Sequence, residues 1–296
     1  MGKVVIWGLK TDLHSHKFIQ GAYYRNFREM GFETCWVDDR ESNIKIVTKD
    51  DIVFAVGVAA EHLPLLNGVK YVLHNMPSEK IKLEKGFINL QVYTSSATGV
   101  NCGLPYVQWD SKLKTLFQPW GVPTNPKTWG KAQKAQSKKE YWVGSIWNNE
   151  LGQGNSEFMK HYIAALESHK IRFIQKGTTT RLRPNGISES LSMKLVYKSA
   201  IGAAVVGNWQ KENSYIPCRL FKNIASGVIP SSNADFSALF GIDGGIFNSN
   251  PDLLISEVLE LSESKKLDLL MHAQQTILPY TYTAGINRIL TYLDAS

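Results

Sequence analysis

Residues 212–233 read ENSYIPCRLFKNIASGVIPSSN: a short polar loop, a helix carrying Arg219 and Lys222, a glycine, then an apolar strand. Two cations on the first turns of a helix oppose the macrodipole, whose positive end lies there. An anion that the chain does not itself supply is the simplest reason for them. Pro217 suits a first helical turn, whose free N–H groups also point at an anion, and Asn213 or Ser214 is placed to cap it. Arg219 can fork onto two phosphate oxygens. The alternative is that Arg219 and Lys222 occupy the solvated face of a helix whose Leu220, Ile224 and Ala225 face the core.

Outward from that stretch, strand-length apolar runs alternate with segments of helical period, the pattern of βα units around a parallel sheet. The first half predicts strands at 3–8, 33–39, 51–57, 69–75 and 88–94. A helix between the first two presents Phe18, Ala22, Phe27 and Met30 as its apolar stripe and stops at Gly31. Residues 116–140, LFQPWGVPTNPKTWGKAQKAQSKKE, hold three prolines and then Lys, Gln and Ser with little to bury, so they predict a crossing linker. Beyond it, strands are expected at 141–147, 171–177 and 201–208, a short one at 244–249, and two closing helices at 251–262 and roughly 265–293.

Composition sets wider bounds. A chain of 296 residues, 43% hydrophobic, is long enough for two domains with separate cores. Lys+Arg number 33 against 26 Asp+Glu, a formal +7 compatible with nucleic acid, an anionic membrane surface or phosphorylated ligands. Cys35, Cys102 and Cys218 lie far apart without a CxxC pair, which predicts neither a disulfide framework nor a zinc site. No apolar run reaches the ~20 residues that span a bilayer, and a cytoplasmic location is expected. HExxH, CxxC, GxxxxGKS and DxD patterns are missing, so metal-independent chemistry is expected.

The order polar loop with Glu, helix with a charged residue, ASG, then a VIP strand resembles the nucleotide-sugar-binding segment of GT-B glycosyltransferases. Within that class, ENSYIPCRLFKNIASGVIP is similar to the signature of the alpha-1,3-fucosyltransferases, over about 20 residues. Pro217, Cys218 and Arg219 stand where that signature has Thr-Glu-Lys, and Lys222 stands where many GT-B enzymes carry a ribose-binding Glu. LFQPWGVP (116–123) and YTAGINRIL (282–290) are also reminiscent of GT-B chains. The start of the chain, His14 and His16 before a helix and then CWVDD, resembles surface-polysaccharide transferases of that type. The resemblance implies an α/β, GT-B chain of two Rossmann-like domains facing each other across a cleft. Its expected parts are an acceptor-side domain at 1–122, a linker at 123–140 and a nucleotide-sugar-binding domain at 141–296, whose last helix can pack back on the first.

Within that frame Arg219 and Lys222 bind the donor diphosphate, while Glu212, Asn213, Ser214 and Tyr215 contact the nucleotide sugar. The glycine-containing loop GSIWNNELGQGN (144–155) adds Gly144, Ser145 and Asn148, since such a loop can bring N–H groups against phosphate. Lys176, Arg181 and Arg183 follow the next strand, where base or phosphate contacts would fall; a solvated basic loop is the alternative. For the acceptor's proton, Asp12, His14 and His16 follow the first strand at the cleft edge, and one of them is the expected general base. Asp38 and Asp39 could hold a ribose in a dinucleotide domain, but GLKTDLHSH lacks the glycines this needs.

The expected activity is transfer of a sugar from a GDP- or UDP-sugar, a substrate rather than a cofactor, to a hydroxyl of a surface glycan or lipid-linked acceptor, as in polysaccharide biosynthesis. KAQKAQSKK could hold the chain near anionic lipid. Two alternatives are a nucleic-acid-base glucosyltransferase of the same fold, with Trp and basic residues stacking and neutralising the acceptor, and a non-catalytic two-lobed ligand-binding protein.

Overall fold

The computed structural model describes residues 2–11, 16–76, 86–94, 99–122, 125–132, 137–176 and 187–295. The chain divides into two units, Met1–Gly121 with Tyr282–Ser296, and Val122–Thr281.

The first unit is built on an eight-stranded sheet. Its strands are β1 (Val4–Trp7), β2 (Thr34–Val37), β3 (Ile52–Val56), β4 (Lys70–His74), β5 (Phe87–Gln91), β6 (Val100–Asn101), β7 (Gln108–Asp110) and β8 (Thr115–Phe117), in the order β2-β1-β3-β4-β5-β8-β7-β6. The first five and β8 run parallel, and β7 and β6 add an antiparallel edge. Continuous apolar runs such as Val4–Trp7 and Ile52–Val56 are buried along their whole length, as strands covered on both faces must be. The order reverses between β1 and β3, the topological switch point at which open α/β sheets bind ligands beyond their strand ends.

Helix α1 (His16–Glu29) follows β1 and buries Gln20, Ala22, Tyr23 and Phe27. Phe18, expected in the apolar stripe, is 45% exposed. The buried line instead runs through Gln20, Tyr23 and Phe27, spaced three and four apart, and Gln20 donates from Nε2 to the Trp7 carbonyl. The antiparallel edge was not expected from the sequence, because strands of two and three residues are too short to show a period.

The second unit opens with β9 (Lys139–Val143), α2 (Ser156–Ser168) and β10 (Arg172–Lys176), with β10 parallel to β9. Then come α3 (Glu189–Tyr197), α4 (Asn208–Glu212), α5 (Cys218–Ala225), β11 (Ser231–Ser232), α6 (Ser237–Phe240), β12 (Ile246–Phe247), α7 (Pro251–Glu260) and α8 (Glu263–Thr276). Residues 201–208, expected as a central strand, form no regular strand. The segment does lie between β9 and β11, but much of its bonding is to side chains. Ala200 N–H reaches the Lys139 carbonyl and Ala204 N–H the Ser231 carbonyl, while the Ile201 and Gly202 N–H groups go to Glu140 and Val206 N–H to Asn233.

The long helix expected at 265–293 is two. Helix α8 ends at Thr276, a 3₁₀ turn covers Leu278–Tyr280, and α9 (Tyr282–Ala295) begins after it. Pro279 has no N–H to donate and its ring crowds the preceding turn, so the helix cannot run through it. Helix α9 belongs to the first unit, where Arg288 donates to Gln118 at 3.0 Å and Tyr292 stacks on Trp109. In the expected linker, residues 125–132 carry a 3₁₀ turn, and Gly130 N–H donates to the Ala225 carbonyl. Among the described residues no helix is long and apolar enough to cross a membrane.

Candidate functional site

The second unit gathers its candidate residues around Trp142. Along β9 every second side chain faces inward, so Glu140 and Trp142 share the buried face. The Arg219 guanidinium carbon lies 3.5 Å from the Trp142 ring centre, a cation held flat on an aromatic face. The loop after β9 wraps the same indole, whose Nε1–H donates to the Ser145 carbonyl at 3.3 Å. Gly144 comes next to the guanidinium: its φ is +126° and a Cβ there would lie 2.9 Å from Arg219 Nη2. A side chain at that position is therefore both strained and in the way.

Arg219 sits in the first turn of α5, whose N-cap is Pro217 and whose start no side chain caps. Asn213 and Ser214, expected as caps, lie one turn too early. Asn213 closes α4 by donating from Nδ2 to the Trp209 carbonyl, and Ser214 adopts φ +50° in the turn between the helices. The first N–H groups of α5 thus point outward at the positive end of the helix. Leu220, Ile224 and Ala225 are buried, while Arg219 and Lys222 keep partial exposure on the same helix.

Burial pulls the Arg219 guanidinium down to about 10, against which the Cys218, Glu140, Tyr215 and Tyr162 groups hold it up. It stays charged at neutral pH. Lys222 is lowered by burial, with Cys218 and Glu189 countering and Arg219 adding to the effect. Arg219 makes no hydrogen bond to a carboxylate among the described residues, and its contact there is with the Trp142 ring. Glu140, a buried carboxylate whose charge acts on Arg219, is engaged elsewhere: it accepts from Ile201 N–H at 2.9 Å, from Gly202 N–H at 3.0 Å and from the Tyr162 hydroxyl at 3.3 Å. Burial pushes it up to about 7, moderated by those hydrogen bonds and by Arg219.

The other donor-side candidates are placed as follows. Glu212 is exposed at the end of α4, and Tyr215 is half-buried with its phenol acting on Arg219. Asn148 uses its Oδ1 to accept Gly154 N–H at 2.9 Å, closing its own loop. Lys176 ends β10 with its side chain exposed and its carbonyl accepting Gly144 N–H at 2.9 Å. Arg181 and Arg183 lie outside the described residues.

In the first unit, Asp12 and His14 lie outside the described residues, and His16 opens α1. His16 meets two rings that the sequence did not single out, His74 at 5.7 Å and Trp120 at 6.0 Å, and His74 is edge-on to Trp120 at 4.7 Å. His74 closes β4, 2% exposed, and its Nδ1 lies 2.7 Å from the Leu90 carbonyl. Burial lowers it to about 4, opposed by that hydrogen bond, so it is neutral, Nδ1 carries the proton and Nε2 keeps its lone pair. Asp39 is fully occupied, accepting from Trp7 Nε1, His62 N–H and Glu61 N–H. Asp38 binds Thr11.

No protein-family model matches the chain, and no curated protein matches it in sequence. Solved structures do match. One described as "alpha-glucosyltransferase (AGT) in complex with UDP" aligns over 99% of this chain and 100% of its own, with a TM-score of 0.65 at 11% identity. The fold is GT-B. A second GT-B structure, an alpha-glucosyltransferase in complex with UDP and a 13-mer DNA containing an HMU base, covers 99% of both chains with a TM-score of 0.64, again at 11% identity. The correspondence runs end to end, so the GT-B fold accounts for both units, α9 included.

Trp142, Glu140 and His74 were missed in the sequence. The one available signal was the spacing of Glu140 and Trp142, two apart in a strand, which places them on one face.

Proposed function

We propose that the chain transfers a sugar from a nucleoside diphosphate donor to a hydroxyl. The observation that carries this reading is Arg219: a partly exposed cation fixed on Trp142 at the uncapped start of α5, with no hydrogen-bonded carboxylate among the described residues. Breaking the anomeric C–O bond adds charge to the leaving diphosphate, so a fixed cation and outward N–H groups lower the barrier where that charge develops. Lys222 contributes a second charge, and the missing side chain of Gly144 leaves room beside Arg219 Nη2. Ser145, Glu212 and Tyr215 are the further donor contacts of this reading, supported for two of them by the Ser145 carbonyl that accepts from Trp142 Nε1 and the Tyr215 phenol that acts on Arg219. On the acceptor side His16, with Asp12 and His14, is the expected acceptor of the hydroxyl proton, without a metal.

UDP is the first donor nucleotide to test, because both GT-B structures hold it. GDP is the second, on the fucosyltransferase likeness of residues 212–230. For the acceptor, a glycan or lipid-linked hydroxyl at an anionic membrane is one reading. A nucleic-acid base is the other, favoured by the end-to-end likeness to a protein in complex with DNA and by the formal +7, which suits a phosphate backbone.

A thermal-shift panel with UDP, GDP, ADP, CMP and dTDP tests the donor site, since a ligand at ~100 times its Kd adds roughly 2.7 kcal/mol of stability. A shift with one nucleotide, abolished in Arg219→Ala, is expected; no shift with any of them sinks the transferase reading. Mass spectrometry of an HMU-containing duplex and of a lipid-linked glycan after incubation with the matching nucleotide sugar separates the two acceptors. Tight binding with no product in either points to a binding module.

A further inference from the structure

The geometry points to Glu140 as a positioning residue of the donor site: its carboxylate holds the 201–202 turn to which α5 is tied and supplies the countercharge of Arg219, so it takes up a proton when a nucleoside diphosphate docks. The inference rests on the donor-site reading above.

Glu140 is 1% exposed, yet its hydrogen-bond partners are two backbone N–H groups and a phenol rather than a cation. Gly202, one of those partners, has φ +68°, and a Cβ there would lie 2.5 Å from Val228 Cγ1. Its carbonyl accepts the Asn223 side-chain amide from the middle of α5. One peptide turn therefore joins Glu140 on β9 to the helix that carries Arg219 and Lys222. Trp142, on the same face of β9 as Glu140, supports the guanidinium from below.

The charge arrangement follows. Glu140 and Arg219 stabilise each other's charges at a distance, and the carboxylate does not occupy the guanidinium fork. The groups acting on Glu140 are Tyr162 from α2 and Arg219 from α5, while Glu189 from α3 acts on Lys222. A diphosphate on Arg219 cancels the charge that favours the ionised carboxylate and adds negative charge nearby. Both effects favour protonated Glu140. Its ionisation already lies at about 7 without ligand, so the proton is taken up in the neutral range.

Calorimetry of UDP binding at about pH 7.5 in HEPES and in Tris, whose ionisation enthalpies differ, reads this directly. A rise of about one pKa unit on binding corresponds to uptake of about half a proton per UDP. Wild type is expected to show that buffer dependence, and Glu140→Gln to bind UDP without it. Should Glu140→Gln fail to fold, Tyr162→Phe removes one donor to the carboxylate and is expected to move the maximum of uptake to higher pH. A carboxylate with a purely structural role would change stability but show no proton linkage. UDP binding to wild type with a buffer-independent enthalpy, or uptake that persists in Glu140→Gln, overturns the inference and leaves the donor site standing. No binding of UDP or GDP at any pH removes the donor-site reading and this inference with it.

Discussion

The Arg219 guanidinium carbon stands 3.5 Å from the centre of the Trp142 ring, so the direction of the charge is set by strand β9 as much as by helix α5. Arg219→Lys keeps the charge but loses the planar fork and the stacked contact. Isothermal titration with the nucleotide that stabilises wild type is expected to show roughly ten- to hundred-fold weaker binding. Equal affinity in Arg219→Lys would mean that the stack does not position the cation.

Trp142→Leu takes away both the platform and a buried volume. Trp142 is 1% exposed, so urea denaturation is expected to show a loss of about 3 kcal/mol, with nucleotide affinity falling alongside. Affinity unchanged in a folded Trp142→Leu would separate the indole from the ligand site.

Glu140 ties its own ionisation to stability. Its folded value of about 7 lies above the ordinary glutamate value, so the folded chain binds the extra proton between the two. Its stabilising effect is complete below the unfolded value of ~4.3 and is lost as the pH rises through about 7. Chemical denaturation is expected to show wild type losing stability relative to Glu140→Gln between about pH 5 and about pH 8. A constant difference across that range would place the carboxylate's ionisation outside it.

His74 carries the opposite sign. Burial holds it at about 4, below its unfolded value, so its contribution is present above ~6.5 and is lost as the pH falls towards 4. NMR of the His74 ring Hε1 is expected to show no titration from about pH 8 down to about pH 5.5, and a midpoint near 6.5 would contradict the buried neutral ring.

Gly202 and Gly152 have matching φ values of +68° and +69°, but only Gly202 would bring a Cβ against a neighbour, Val228. Gly152→Ala is expected to cost about 1 kcal/mol from backbone strain alone, and Gly202→Ala at least about 2 kcal/mol, by urea denaturation. Equal losses would mean that the clash relaxes freely.

Much of the architecture was legible because it is written in local periodicity. Strands expected at 3–8, 33–39, 51–57 and 69–75 appear as Val4–Trp7, Thr34–Val37, Ile52–Val56 and Lys70–His74. Gly31, with φ +89°, follows the end of α1 as a helix stop should. Arg219 was singled out because charge at a helix start is anomalous within a single turn of sequence; Lys222, expected there with it, instead lies in the last turn of α5, where a cation suits the helix dipole.

What escaped was whatever depends on partners distant in the chain. Glu140 closes a Lys- and Ser-rich stretch and reads there as one more solvated charge; its burial follows from the backbone turn at Ile201–Gly202 that folds against it. Segment 201–208 has a strand's composition, but the side chains of Glu140 and Asn233 take part of the bonding that a neighbouring strand would provide. His74 is one polar residue at a strand end until His16 and Trp120 arrive from other elements. The amino-acid order determined the alternation of strands and helix in the first half of the chain and the cation that opens α5, because hydrophobic period and helix electrostatics act over a few residues. Only the tertiary structure decided which ring supports Arg219 and which carboxylate balances it, because those pairings come from packing between segments whose contact no local pattern encodes.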